Sequence, residues 1–354
     1  MIEAEILKLF IPAIVAFLVG IGGAPILTHF LYKHKAWKKK AGKGNGMGGG
    51  ATPLFDELHK EREVNTPRMG GILIWGSVAI TLFGIFLVAA LAPNTIAPEF
   101  DFLTRSQTWV PAALFFLGAF VGLIDDLLEV TKGGNGLKLP IRLLVVGSAA
   151  TLAAVWFYSK LEVTSIGIPF MQPLELGFWI VPFFVIGTLI IYASGVIDGI
   201  DGLSGGVFSI IFGAYAVVAF MQGQFDVAAF SATIAGATLA FLWFNIPPAR
   251  FYMTETGSMA LTLALATIAI MTDTLGGGIG IAVLPIIALP LVGTVGANVL
   301  QVLSKKFLGK KIFKIAPIHH HFEAIGWPAH KVTMRYWIVT LIFAILGVTL
   351  AIVG

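Results

Sequence analysis

Ten runs of about 20 mostly apolar residues, joined by short polar links, constrain this chain more than any single motif does. They lie near 6–32, 69–92, 108–124, 139–158, 174–196, 203–221, 225–244, 258–274, 277–303 and 333–353. A hydrocarbon layer about 30 Å thick is crossed by about 20 helical residues. Backbone polar groups within it must be satisfied inside the segment, so the crossing elements are helices. Composition agrees: 57% of the 354 residues are hydrophobic and 12% charged, against about a quarter charged in soluble domains, and mean hydropathy is +0.90. The expected fold is an all-α, polytopic integral membrane protein of about ten transmembrane helices, forming one domain over 1–354. The first run is too long and glycine-interrupted for a cleaved signal peptide. Pro285 and Pro290, set among glycines, predict a kinked or broken helix near 277–303.

With ten crossings the links alternate between two sides. Of the 23 Lys and Arg residues, 20 fall in or beside the links after the odd-numbered runs, leaving Lys8, Arg105 and Lys160 for the other side. The positive-inside rule therefore makes the loops near 33–68, 125–138, 197–202, 245–257 and 304–332 cytoplasmic and both termini extracytoplasmic. The same lysines account for the net charge of +4 without a nucleic-acid partner. The basic, glycine-rich stretch 33–50 reads as a topology anchor on anionic headgroups. There is no cysteine, which removes disulfides, thiol nucleophiles and thiolate metal sites.

Acids gather at the cytoplasmic ends of the runs: Asp125 and Asp126 in GLIDDLLEV, Asp198 and Asp201 in IDGIDGLSGG, and Glu255 in FYMTETGS. One aspartate at a helix end is most often a solvated cap. Three acidic clusters on one side of a membrane protein point instead to a site facing a cavity. Neighbouring carboxylates repel unless a cation or proton lies between them, and oxygen-only donors suit Mg²⁺, which commonly takes one or two carboxylates plus substrate phosphate. The glycines of DGIDGLSGG offer exposed backbone N–H groups to a phosphate, without the lysine of a P-loop. In APIHHHFEAIGWPAH, the consecutive His319, His320 and His321 sit about 100° apart on a helix. One or two of them are thus available to a site while another packs elsewhere, and their spacing does not suit zinc.

These segments carry a resemblance. NTPRMGGILI at 65–74, GLIDDLLEV at 122–130, IDGIDGLSGG at 197–206, WFNIPPARFYMTETGSMAL at 243–261 and PIHHHFEAIGWP at 317–328 together resemble the phospho-N-acetylmuramoyl-pentapeptide transferase family. That family lies within the polyprenyl-phosphate N-acetylhexosamine-1-phosphate transferases, and the match runs in order along most of the chain. The resemblance implies Mg²⁺-dependent transfer of phospho-MurNAc-pentapeptide from UDP-MurNAc-pentapeptide to undecaprenyl phosphate, giving lipid I and UMP for peptidoglycan synthesis. It also implies a homodimer in the bacterial plasma membrane with its active site toward the cytoplasm. By motif position, Asp125 and Asp126 are the paired catalytic aspartates, Glu255 joins them as a metal ligand, and His319 completes the catalytic set. Thr66, Arg142, Asp198, Asp201, Asn245, Tyr252, Ser258, His320 and His321 fall at substrate-binding positions, with Tyr252 placed to stack on uracil.

Three positions depart from the family pattern. The segment FMGDTGS reads YMTETGS here, so Glu255 stands where an aspartate is expected. Gly195 replaces an asparagine, and Glu129 replaces the lysine of a DDxxK pattern. These departures keep open a sister transferase using another UDP-sugar such as UDP-GlcNAc. A transporter is the alternative from another class, disfavoured because the polar residues cluster at one face rather than the midplane.

Overall fold

A computed structural model describes residues 2–38, 65–104, 106–131 and 136–354. Most of the basic stretch and of the first long loop, residues 39–64, therefore lies outside the described residues. The chain is almost wholly helical: α1 (Ile2–Lys33), α2 (Gly71–Leu91), α3 (Trp109–Thr131), α4 (Leu139–Lys160), α5 (Ile180–Ala193), α6 (Leu203–Met221), α7 (Phe225–Asn245), α8 (Thr254–Met271), α9 (Gly280–Ile287), α10 (Leu289–Leu308), α11 (Ile318–Ala324) and α12 (Ala329–Val353). The described residues contain one small sheet, an antiparallel pair of Ser165–Ile166 with Leu174–Glu175.

Among the described residues eight helices are long and apolar enough to cross a membrane, or nine when α9 and α10 count as one span. The predicted third run corresponds to α3, whose last turns carry Asp125, Asp126 and Glu129. The predicted break near 277–303 is a bend of 74° between α9 and α10. It falls at Ala288, two residues before Pro290, whose ring cannot accept the preceding helical geometry.

Burial sorts the helices by composition. Every residue of α8 except Glu255 is buried, and its sequence TETGSMALTLALATIAIM supplies the small side chains that let membrane helices approach closely. α6 and α7, which pack on each other, are also mostly buried. α1, α2 and α12 form the outside, presenting Phe10, Leu18, Ile26, Phe83, Leu91 and Ile345 outward, as lipid-facing surfaces do. α3 packs along α8 at van der Waals distance: a Cβ on Gly122 would lie 2.1 Å from the Glu255 carbonyl oxygen.

The helix ends fall into two sets. At one end meet the links after α1, α3, α5, α7 and α10, as Arg68 reaches Asp126, the Thr254 amide reaches Asp198 and Thr333 reaches the Asp201 carbonyl. At the other end Lys8 pairs with Asp226 at 2.5 Å, the Gly167 amide donates to Asp273 and Gln222 donates to the Thr272 carbonyl. The sequence alternation of basic and non-basic links is thus an alternation in space. Gly122→Ala is expected to cost about 1–3 kcal/mol through overpacking, seen as a lower melting temperature in detergent. Gly84→Ala, on α2 with open space around it, is expected to leave melting unchanged or raise it slightly.

Candidate active site

The site begins at the C-terminal end of α3. Asp126 is fully buried and takes donors from two other stretches of chain. Its Oδ2 accepts from the Thr254 hydroxyl at 2.5 Å, the Thr256 hydroxyl at 2.5 Å and the Thr256 amide at 2.9 Å. Its Oδ1 accepts from Arg68 Nη2 at 3.3 Å. Such a set satisfies the acceptors of a buried carboxylate, each of which would carry a desolvation cost if left unmet. The N-terminal turn of α8 adds the favourable end of a helix dipole.

Asp125, one residue earlier, points elsewhere. It accepts from the Leu137 amide and lies 3.5 Å from Arg142 Nη1 on α4. The same Nη1 is 2.5 Å from Glu255 Oε1, and Ser258 donates to the other Glu255 oxygen at 3.4 Å. Arg142 therefore bridges Asp125 and Glu255, joining α3, α4 and α8 by one guanidinium. Asp198 supplies the next wall: its Oδ1 accepts from Ser204 at 2.6 Å and its Oδ2 from the Thr254 amide at 2.7 Å. Burial pushes the Asp198 carboxyl above its ordinary range, and those two hydrogen bonds oppose the rise.

Asp201 and Asn245 sit one layer behind. Asp201 Oδ2 accepts from the Ala249 amide at 3.1 Å. The Asn245 side chain accepts from the Gly202 amide and donates to the Phe251 carbonyl, both at 2.9 Å. These two pin the loops that carry Asp198 and Tyr252. Tyr252 is held by its backbone, its amide donating to Pro67 and its carbonyl accepting from Gly70, so the segment containing Thr66 is docked beside it.

The histidines divide as their helical spacing requires. His319 and His320 on α11 are buried, with rings 4.3 Å apart, and both press on Gly199, where a Cβ would meet their Nε2 atoms at 2.6 and 2.8 Å. His320 Nδ1 is 2.7 Å from Glu323 Oε2. His321 turns away and accepts from the Lys314 amide at 3.1 Å.

Four participants were not singled out from sequence: Arg68, Thr254, Thr256 and Glu323. Thr254 was within reach, since the related pattern has glycine there. Its φ is +55°, a left-handed conformation rare for a β-branched residue. The Thr254 hydroxyl accepts from the Met69 amide at 3.1 Å while donating to Asp126, which offsets the strain.

Among the described residues no three His, Asp or Glu side chains lie close enough together to form a metal cluster. Charge is nevertheless left over. Asp125, Asp126, Glu129, Asp198 and Glu255 face Lys38, Arg68 and Arg142 among the described residues. That is five carboxylates against three cations, with Arg142 already placed between Asp125 and Glu255. The oxygen-only donor set and this formal excess of negative charge fit a divalent cation. Beyond the acids, a cavity of about 260 Å³ lies between the end of α5 and the broken helix, lined by Ala193, Val295, Asn298, Val299, Val302 and Leu303.

Residues 108–273, which carry α3 to α8 and all five of these carboxylates, match the model of glycosyl transferase family 4. The chain is 33% identical to a phospho-N-acetylmuramoyl-pentapeptide-transferase of Bacillus mycoides over 346 residues, covering 96% of this chain and 97% of that protein. It is 34% identical to the protein of that name in Bacillus subtilis, covering 95% of each, and 35% identical to one from a Geobacillus species, covering 81% and 84%. The chain belongs to this transferase family. It is thus a multi-pass membrane enzyme.

The strained threonine gives a direct test. Thr254→Ala keeps the left-handed backbone and loses the hydroxyl, whereas Thr254→Gly loses the hydroxyl and relieves the strain. Thermal melting is expected to rank glycine above alanine by about 1 kcal/mol, the reverse of their order inside an ordinary helix.

Proposed function

We propose that this enzyme transfers phospho-MurNAc-pentapeptide from UDP-MurNAc-pentapeptide to undecaprenyl phosphate, releasing UMP and forming lipid I for peptidoglycan synthesis. The observation that carries this reading is the convergence of Asp125, Asp198 and Glu255 at the end of the bundle that also gathers the basic links. A soluble, anionic nucleotide and a membrane-bound phosphate can meet only at such a boundary. By the positive-inside rule that boundary is the cytoplasmic face of the bacterial plasma membrane, with both termini on the far side.

Asp125 orients the attacking phosphate of the lipid, or takes its proton, by a single displacement or through an aspartyl intermediate. Asp126 is not free to react in the same way: with four donors already on its oxygens, it fixes the first turn of α8 and hence Glu255. Glu255 and Asp125, with Asp126 in support, are the residues that would hold Mg²⁺, which when bound offsets diphosphate charge and favours departure of UMP. Arg142 releases its bridge to meet phosphate oxygens, for which a guanidinium fork is well suited. His319 and His320 hold the 198–201 loop against the diphosphate, Tyr252 stacks on uracil, and Thr66 and Ser258 frame the nucleotide side. Asp201 and Asn245 pin the loops behind it, and His321, turned toward Lys314, takes no direct part. The apolar cavity between α5 and the bent α9–α10 pair takes the first part of the prenyl chain. A second copy of the chain completes the functional unit as a homodimer.

Purified enzyme with Mg²⁺, UDP-MurNAc-pentapeptide and undecaprenyl phosphate is expected to release UMP only when both substrates are present, and a chelator is expected to stop it. Asp125→Asn is expected to lower kcat by at least ~10²-fold, the usual weight of a positioned acid or base. Faster turnover with UDP-GlcNAc would reassign the donor to a sister transferase, and near-normal turnover by Asp125→Asn would remove its role.

A further inference from the structure

Glu129 is the departure that chemistry makes most awkward, a negative charge one helical turn beyond Asp126 and close to where a diphosphate would lie. The surrounding residues resolve it. Glu129 Oε2 is 2.5 Å from Arg68 Nη2, and the same nitrogen is 3.3 Å from Asp126 Oδ1. Glu129 Oε1 is 3.1 Å from Lys38 Nζ. Arg68 and Lys38 come from opposite ends of the loop between α1 and α2, and both are largely buried against the end of α3, as is Glu129. Burial pulls the Arg68 guanidinium down, but the Asp126 and Glu129 carboxylates outweigh it and hold it above its ordinary value. Its neighbours in sequence are fixed as well: the Arg68 amide donates to Ala36, the Pro67 carbonyl accepts from Tyr252 and the Gly70 amide donates to Tyr252.

We infer that Glu129 is a latch for Arg68: the cation that stabilises Asp126 is delivered by the 65–70 loop instead of by α3, and Glu129 with Lys38 fixes it in place. The inference rests on the transferase reading for its catalytic consequence, though not for the latch itself. Arg68 is a positioning residue. Through Asp126 it sets the hydroxyls of Thr254 and Thr256, and through them the start of α8 that presents Glu255. The same loop segment holds Tyr252 by backbone hydrogen bonds that do not involve the Arg68 side chain, so the latch acts on the acidic site and not on the nucleotide side. A lysine at 129 would sit three residues after Asp126 on one helix face, where it would reach that carboxylate from α3 itself and make Arg68 dispensable. The arrangement is therefore one charge moved from a helix to a loop, with the reversal at 129 as its counterpart.

The test is to move it back. Arg68→Gln is expected to lower kcat at least ~10²-fold, the order of loss a misplaced catalytic group gives, with KM for the nucleotide sugar changing little. Arg68→Lys is expected to recover part of that loss. The triple variant Lys38→Gln/Arg68→Gln/Glu129→Lys, which keeps the cluster neutral and puts the cation on α3, is expected to turn over at least tenfold faster than Arg68→Gln. A triple variant no faster than Arg68→Gln, although it melts as cooperatively as the wild type, would overturn the inference. Melting of Arg68→Gln, Glu129→Gln and the corresponding double variant tests the latch without substrate. Strong non-additivity supports it, and additive shifts refute it. Absence of UMP release by the wild type would count against the transferase reading alone, since the melting cycle would still stand.

Discussion

A carboxylate with no exposure to water must find its hydrogen bonds inside the protein, and at Asp126 that requirement organises everything nearby. Two threonine hydroxyls and an amide from α8, together with a guanidinium from the 65–70 loop, converge on its two oxygens. Removing one partner from a buried charge commonly costs about 3–5 kcal/mol, so three stretches of chain far apart in sequence are tied to one atom group. The strained backbone at Thr254 persists for this reason. Its hydroxyl is shared between Asp126 and the Met69 amide, so the left-handed turn at the head of α8 is held by the bonds it makes possible.

The glycine of α3 that touches α8 serves the same end. Gly122 brings the two backbones together one turn before Asp126, so the carboxylates of one helix open directly onto the first turn of the other. Lipid offers no hydrophobic drive to pull helices together. Close backbone packing and internal polar bonds must do so, and here they coincide. The outer helices take part as well: Gly236 of α7 lies against the Ala13 carbonyl of α1 and Gly71 of α2 against the Gly257 backbone, while Lys8 pairs with Asp226 and Thr333 donates to the Asp201 carbonyl.

This division explains what could be read from the sequence. The all-helical, polytopic architecture, the alternation of links and the break at 277–303 depend on composition and on proline, which are local, and they were legible, although eight or nine of the about ten expected crossings meet the length and apolarity of a span among the described residues. The site acids were legible by residue type, because Asp125, Asp198 and Glu255 sit where an apolar chain should avoid charge. The separation of His321 from His319 and His320 followed from helical spacing alone. What stayed hidden was pairing at long range. Nothing local in NTPRMGG says that its arginine will lie between Asp126 and Glu129, and nothing in IDGIDGLSGG says that Asp201 will hold the Ala249 amide while Asp198 faces the site. Thr254 is intermediate: comparison with a glycine at that position marks the conformation, but only the fold reveals the use of the hydroxyl.

The far end of the bundle supplies the contrast that gives the acidic site its meaning. Asp273 is also buried, and burial pushes its carboxyl up against the amides of Gly167, Ile281 and Thr274. Its oxygens accept from Gly167 and Ile281 at 2.6 and 2.8 Å, and these bonds join the β-hairpin segment to the start of α9. Every donor there is a backbone N–H that cannot leave, so the acid is finished as a structural knot. At the opposite end the donors to Asp125 and Glu255 include one movable guanidinium, and within that cluster five carboxylates face Lys38, Arg68 and Arg142 among the described residues. A buried acid saturated by backbone holds a fold together. Acids that share a displaceable cation are not finished in that way, and the Asp125–Arg142–Glu255 bridge at the end with the basic links is such a set.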